Sequence, residues 1–354
     1  MLISEFDYEL PEELIAQAPL DERDASRLLV LDRARASWRD SDFSRLPAEL
    51  REGDHLVVNN TRVFPARLIG RREPSGGQVE LFLLAELEPQ VWEALARPAR
   101  RLARGQVVSF GGGRLRAEII DARDDGQRTV RFECEGNFDA LLEEIGQVPL
   151  PPYIKRADAR DASQSTADRE RYQTIYAGRR GAIAAPTAGL HFTPRVLEAL
   201  RARGVSITEI TLHVGYGTFA PVRVNDLNEH AVAAERYEIT PEAAATLNEA
   251  RARGQRIVAV GTTTVRALES AATGAGDQAA TRLAPGAGRA TLTITPGYKF
   301  KIVDALITNF HLPRSSLLVL VATFAGRELT LAAYAHAVAS RYRFYSYGDC
   351  MLIL

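Results

Sequence analysis

The hydrophobic pattern changes character along the chain. From about residue 56 to residue 150 the apolar positions fall in short runs: HLVVNNT, ARLIGRR, GQVELFLLAEL, QVVSF, RLRAEIIDA and TVRFECEG. SGG, RGQ, GGG and DDGQ part them. Short β-rich runs at close spacing, with glycine-rich turns and little helical period, predict an all-β barrel or sandwich. The prolines of VPLPPYIKR end it, because proline removes a backbone donor and disfavours helix and ladder alike. RADARDASQSTADRERYQ, polar and charge-dense, predicts a mobile loop or a segment ordered by a partner.

A helix-then-strand rhythm follows. One helix is predicted from Thr193-Pro194 to Gly204 and another from Thr240-Pro241 to Gly254. Each has threonine at the N-cap, proline at the first helical position and glycine just past the end. The strands VSITEITLHVG and RIVAVG follow the two glycines. TLTITPGYKF and DALITNF predict further strands, and TGAGDQAATRLAPGAGRA a flexible excursion. Ser315 or Ser316 caps a helix through LLVLVATFAG, and LAAYAHAVASRYRF predicts helix to the C-terminus. The expected fold is therefore α/β: a larger domain with a mostly parallel sheet, residues 1–57 and 152–354, interrupted by an inserted β-barrel, residues 58–151.

Composition narrows the class. The net charge of −1 excludes a globally basic nucleic-acid binder, yet only three of the 44 basic side chains are lysines. Arginine forks suit phosphate oxygens, so the clusters Arg97, Arg100, Arg101 and Arg104, then Arg67, Arg71 and Arg72, then Arg179 and Arg180 are candidate RNA contacts as well as ordinary surface charge. Two distant cysteines, Cys134 and Cys350, argue against a disulfide framework or a thiolate zinc site. The acidic start MLISEFDYELPEELIAQ lacks a signal-peptide pattern, and SSLLVLVATFAG is too short to span a bilayer. A cytoplasmic protein is expected.

Candidate chemistry gathers at predicted strand ends, where open α/β sheets bind ligands. In VAVGTTTVRALES a strand ends at Gly261, the threonines 262–264 turn the chain, and a helix starts near Val265. Free N–H groups and three hydroxyls there suit a carboxylate, phosphate or ribose, though an ordinary N-cap reads the same way. In ITEITLHVGYGTFAPV the period of two sets His213 opposite Ile210, Leu212 and Val214. The chain then runs into Tyr216-Gly217-Thr218, where glycine permits close ligand approach. TNFHLPRSS places Asn309 and His311 similarly, and APTAGLHF puts Pro186, Thr187, Gly189 and His191 beside another apolar run. Each histidine also reads as a structural one. HExxH, GxSxG and GxxxxGK[ST] are absent, disfavouring a metalloprotease, a serine hydrolase and a P-loop. What remains suits proton abstraction on a polar organic substrate without a metal.

APTAGLHF, TLHVGYGTFAPV, VGTTTVRALES, TPGYKF and TNFHLPRSSLLVLVATFAG, in this order, resemble the motifs of the S-adenosylmethionine:tRNA ribosyltransferase-isomerases of queuosine synthesis. NNTRVFPARLIG, VPLPPYIKR, RYQTIYA and the terminal YRFYSYGDCMLIL match as well, so the resemblance spans essentially the whole chain. Departures are small: Thr293 and Thr295 stand where bulkier apolar residues are expected, and RSS replaces a serine-threonine pair.

The resemblance implies S-adenosylmethionine as ribosyl donor and co-substrate, with no permanently bound cofactor or metal. The acceptor would be tRNA bearing 7-aminomethyl-7-deazaguanine at the wobble position, the products epoxyqueuosine-tRNA, adenine and methionine. It further implies that Thr262, Thr263 and Thr264 hold a polar end of the donor, that Arg266 pairs with its carboxylate, and that Pro186, Thr187 and Gly189 wall off adenine or ribose. Tyr216, Gly217, Thr218 and Asn309 join the substrate site. His191, His213 or His311 would supply a base, His213 favoured by its strand phase, with Glu229 and Glu235 as alternatives. Arg62, Arg67, Arg97, Arg100, Arg101 and Arg104 would meet tRNA phosphates. A monomer is expected. Competing readings are a non-catalytic RNA-binding protein and an enzyme of this fold using another nucleoside donor.

Overall fold

A computed structural model of the chain describes residues 1–124, 126–156, 162–219, 222, 224–273 and 281–354, without the side chains of 162–165, 218 and 219. The described chain forms two units. The first comprises Met1–Arg62, Pro152–Arg156 and Arg171–Leu354; the second comprises Val63–Pro151 and the described part of 157–170.

The first unit is built on a nine-stranded sheet. Its order is Gly286–Ala290, Glu235–Ile239, Ser206–His213, His55–Asn59, Ile257–Val260, Ala305–Asn309, Cys350–Ile353, Arg27–Asp32, Ser37–Asp42. The four strands from Ser206–His213 to Ala305–Asn309 are mutually parallel, as is the Cys350–Ile353 pairing with Arg27–Asp32. The other four pairings are antiparallel, so the sheet is mixed rather than mostly parallel. Leu28, Leu56, Val58, Val258, Val260, Ile307 and Leu352 form a core with Val196, Leu197 and Leu200 of the Pro194–Ala202 helix. Burying each such side chain contributes about 1.5–3 kcal/mol. The four parallel strands also leave all their carboxyl ends on one edge, next to Asn59, His213, Gly261 and Asn309.

The cap chemistry acts as its sequence implies. Thr193 and Thr240 accept from Val196 N–H and Ala243 N–H, and the helices run Pro194–Ala202 and Pro241–Ala252. Ser315 caps Ser316–Ala325 through Leu318 N–H. Other expectations fail for tertiary reasons. HLVVN, which reads as the start of the barrel text, is a fully buried central strand of the large sheet. TLTITPGYKF is not a strand: Leu292 O accepts from Arg266 of the Thr262–Ser270 helix, and Glu269 of that helix holds Lys301 N–H just past the stretch. The C-terminal helix stops at Ala339, and buried CMLI returns as a strand between Ala305–Asn309 and Arg27–Asp32. Of the supposed flexible excursion, Gly286–Ala290 is the sheet's edge strand, while 274–280 lie outside the described residues.

The second unit is a closed six-stranded antiparallel barrel: Gln127–Cys134, Val91–Arg97, Gln78–Glu88, Arg67–Arg72, Val107–Phe110, Leu115–Ala122. Alternate residues such as Val79, Leu81 and Leu83 fill it, as period two requires. Of the segment expected to be a mobile loop or ordered by a partner, 157–161 lie outside the described residues and Ala162–Arg171 is helical; Arg169 donates to Glu143 O and to Gly146 O (2.7 Å).

Candidate active site

Two neighbouring cavities open at the carboxyl edge of the parallel strands. The first, about 500 Å³, is lined by Tyr153, residues 184–188, Val214, Gly261, Thr262, Thr263, Thr308, Asn309, His311, Leu317, Tyr345 and Ser346. The second, about 520 Å³, is lined by Gly217, His230, Val232, Glu235, Thr262, Thr263, Arg266, residues 292–295, Ser316, Leu317, Val319 and Leu320. Thr262, Thr263 and Leu317 belong to both, so the two are adjoining compartments.

The wall between them is built by a sharp turn. Gly261 sits at φ +89°, a conformation only glycine takes readily, and it lets the Thr262–Ser270 helix begin three residues before Val265. Thr264 turns inward and donates to Val260 O at 2.6 Å, so it does not face ligand. Thr263 is buried, lines both compartments, and its Oγ1 has no hydrogen-bond partner among the described residues. The Ser316–Ala325 helix also starts on this wall. Two helix N-termini and a spare hydroxyl favour a negatively charged group.

Asn309 organises the first compartment. Its Oδ1 accepts from Thr187 Oγ1 (3.0 Å), while Nδ2 donates to His191 Nε2 (3.1 Å) and Tyr345 O (3.2 Å). With Nε2 accepting, His191 carries its proton on Nδ1 and donates it to Ser26 Oγ at 2.8 Å. Tyr345 holds φ at +72°, a strained backbone for a bulky residue that costs about 1–3 kcal/mol. Its ring meets that of Tyr153 edge-on at 4.0 Å, and Tyr153 is hydrogen-bonded to Ser346.

In the second compartment Arg266 and Glu235 form a buried ion pair. Arg266 also donates to the carbonyls of Ala233 (3.1 Å), Ala290 (2.8 Å) and Leu292 (3.3 Å), and Glu235 accepts from Gly215 N–H (3.0 Å). That leaves Arg266 as a structural anchor, poorly placed to bind a donor carboxylate. His230 Nε2 lies 2.7 Å from Ser316 Oγ.

Of the residues singled out in the sequence, Pro186, Thr187, Thr262, Thr263, Asn309 and His311 meet in the first compartment; Gly217, Glu235 and Arg266 meet in the second. The others stand apart. Gly189 packs where a Cβ would lie 2.2 Å from the Tyr176 hydroxyl, so it is a packing glycine rather than a cavity wall. His191 lies behind Asn309, against Ser26 and Phe43. His213 bonds Thr61 Oγ1 at 2.9 Å and lines neither compartment. Tyr216 and Glu229 are exposed, and the Thr218 side chain lies outside the described residues. Tyr153, Tyr345, Ser346 and His230 were not singled out, and Ser316 only as a helix cap; only the aromatic density of VPLPPYIKR and YRFYSYGDC could have pointed to the first three.

Burial, unrelieved by a carboxylate, pushes both His191 and His311 down to about 3; Arg23 and Arg343 add to the effect at His191. Both rings stay neutral in the folded protein, whereas an unfolded imidazole titrates near 6.5. Below that pH the unfolded chain binds more protons, so stability is lost as pH falls from 6.5 toward 3. The expected loss is about 2 kcal/mol per histidine at pH 5. Urea unfolding at pH 7.5 and pH 5 checks it: the acid-induced loss should be about 2 kcal/mol smaller in His311→Gln, and an equal loss in both proteins would refute it.

On the barrel, Arg97, Arg100, Arg101 and Arg104 are all exposed. Their loop is held from beneath by buried Arg128, which donates to Ala99 O and Leu102 O, each at 2.6 Å. Arg67 instead pairs with Glu80 at 2.7 Å. Arg62 is exposed.

A family model described as queuosine biosynthesis protein matches residues 3–353. The chain is 50% identical to the S-adenosylmethionine:tRNA ribosyltransferase-isomerase of Pelotomaculum thermopropionicum and 51% identical to that of Symbiobacterium thermophilum, with all of each chain covered. It is 53% identical to the same-named protein of Moorella thermoacetica, again over both full lengths. Among solved structures, an S-adenosylmethionine tRNA ribosyltransferase from Thermotoga maritima matches with a TM-score of 0.55 at 38% identity, covering 99% of this chain and 100% of that one.

Proposed function

The chain belongs to the family of queuosine biosynthesis proteins, and from that premise we propose how its two compartments serve the family's reaction. The protein is a transferase and isomerase. It moves the ribosyl part of S-adenosylmethionine onto 7-aminomethyl-7-deazaguanine at the tRNA wobble position, giving epoxyqueuosine-tRNA and releasing adenine and methionine.

One observation carries the assignment of the site: two adjoining compartments share the wall of Thr262, Thr263 and Leu317. A reaction that joins a donor to a nucleobase needs two such seats meeting at one place. We place the donor in the compartment with Pro186, Thr187 and Asn309, where Tyr153 and Tyr345 supply aromatic lining for a flat base or a sulfonium. The helix starts at Thr262 and Ser316, with the Thr263 hydroxyl, take the donor's carboxylate. The acceptor base takes the compartment floored by Glu235 and Arg266. Arg97, Arg100, Arg101 and Arg104, with Arg62, contact tRNA phosphates; Arg67 is left to its ion pair with Glu80. We take the enzyme to act in the cytoplasm and as a monomer, which light scattering tests.

The test is incubation with S-adenosylmethionine and precursor-bearing tRNA, followed by nucleoside analysis. Adenine, methionine and an epoxide-bearing nucleoside are expected, and adenosylhomocysteine would overturn the assignment. In the same assay Thr263→Val should raise KM for the donor by about tenfold, the worth of one buried hydrogen bond to a charged group. Replacing Arg100, Arg101 and Arg104 by glutamine should flatten the salt dependence of tRNA affinity by somewhat under one log unit per lost phosphate contact. Unchanged values would remove the carboxylate seat and the arginine contacts respectively.

A further inference from the structure

The reaction needs a proton acceptor, and the geometry selects among six histidines. His55 lies at the opposite end of the sheet, bonded to Thr208 at 2.6 Å. His336 sits beside Asp40, and His213 against Thr61, outside both compartments. His191 has both ring nitrogens engaged; His311 lines the first compartment but is buried, with Nε2 held by Thr308 at 2.8 Å.

His230 shares with His311 an Nε2 held by a hydroxyl and a place in one compartment, but it is far less buried. It is half-buried and, among the described residues, it is the one histidine lining the compartment that Glu235 and Arg266 floor. Its Nε2 is fixed by Ser316 Oγ at 2.7 Å, and Ser316 opens a capped helix, so the ring is placed by a rigid element. Among the described residues Nδ1 has no partner. The only charged groups lining the same space there are Glu235 and Arg266, which neutralise each other. Thr262 and Thr263, the wall shared with the donor's seat, line the same compartment as His230.

We infer that His230, positioned by Ser316, is the base that starts the reaction at the donor. A sulfonium acidifies the carbons bonded to it. The imidazole takes a proton from the ribosyl carbon next to sulfur: that C–H bond breaks, an N–H bond forms on His230, and the electron pair stays on carbon beside the positive sulfur. Ser316 is a positioning residue that aims the ring. Histidine suits the task because its proton affinity lies near working pH.

This inference rests on the activity given above. The experiment follows release of tritium to water from S-adenosylmethionine labelled at the ribosyl carbon next to sulfur, alongside adenine release, with precursor-bearing tRNA. In His230→Gln, which keeps a side chain able to bond Ser316, both signals should fall about 10²–10⁴-fold while KM for the donor stays within about threefold, as for a base absent from ground-state binding. Tritium release within about fivefold of wild type in His230→Gln overturns the inference. Should that variant fail to fold, Ser316→Ala decides. A mispositioned imidazole shifts the low-pH limb of the kcat profile, and an unmoved limb overturns the inference. Wild-type protein releasing no adenine would instead undo the activity itself.

Discussion

Arg266→Met, with Glu235 left in place, is expected to lower the stability of the protein by about 3–5 kcal/mol. The reason is the carboxylate left behind. Glu235 and Arg266 are each only a few per cent exposed, so removing the guanidinium strands a charge that water cannot reach. The substitution also releases the carbonyls of Ala233, Ala290 and Leu292, which tie two neighbouring segments to the helix. Replacing both partners, Arg266→Met with Glu235→Leu, should recover most of the loss, because an apolar pair of similar volume needs no counter-charge. Urea unfolding of the two single variants and the double variant gives the coupling energy directly. A single-variant midpoint equal to the wild type would show that the pair contributes nothing to folding. The double variant should remain poorly active, since the floor of the second compartment would have lost its polarity.

Glu269→Ala should cost more than about 3 kcal/mol, by a different route. Glu269 is buried near the far end of the same helix and accepts four hydrogen bonds. Three come from the backbone N–H groups of Lys301, Ile302 and Val303 at 2.8, 2.9 and 3.0 Å, and one from the Tyr298 hydroxyl at 2.9 Å. Alanine removes the acceptor of all four donors, and those of buried Ile302 and Val303 are stranded away from water at about 1–3 kcal/mol each. Hydrogen exchange localises the effect: the amides of residues 301–303 should lose protection before the core strands do. Glu269→Gln, which keeps one carbonyl oxygen, should lose less. Equal protection in the alanine variant and the wild type would mean another acceptor serves those amides.

These two side chains explain why VGTTTVRALES and TPGYKF sit some 30 residues apart yet act as one unit. The alternation in TLTITPGYKF is a fair strand signal, but no ladder forms there: Arg266 takes Leu292 O, the Tyr298 hydroxyl donates to Glu269, and Glu269 also holds the N–H groups of Lys301 and Ile302 just past the stretch. The same contrast holds at the histidines. Period two correctly set His213 apart from Ile210, Leu212 and Val214, but face alone does not say what lies on that face, and there it is Thr61. His230 had no pattern around it to draw notice, because it sits between short irregular segments and is placed by a helix 86 residues later. Tyr345 and Ser346 reach the first compartment only because the last strand inserts into the middle of the sheet.

The sequence by itself determined whatever local chemistry decides. Thr193-Pro194 and Thr240-Pro241 start helices through their own hydroxyls, and Gly261 permits the turn that exposes the Thr262 helix start. The close-set β runs specified an all-β unit, barrel or sandwich, and the ordered motifs specified the family. Tertiary structure alone decided which of these pieces share a cavity. APTAGLHF gives Pro186 and Thr187 to the donor's compartment, Gly189 to the packing against Tyr176, and His191 to a buried bond with Asn309. Neighbours along eight residues part in this way because their partners come from other segments: Tyr176 for Gly189, and Asn309, more than 100 residues distant, for Thr187 and His191, which no local pattern encodes.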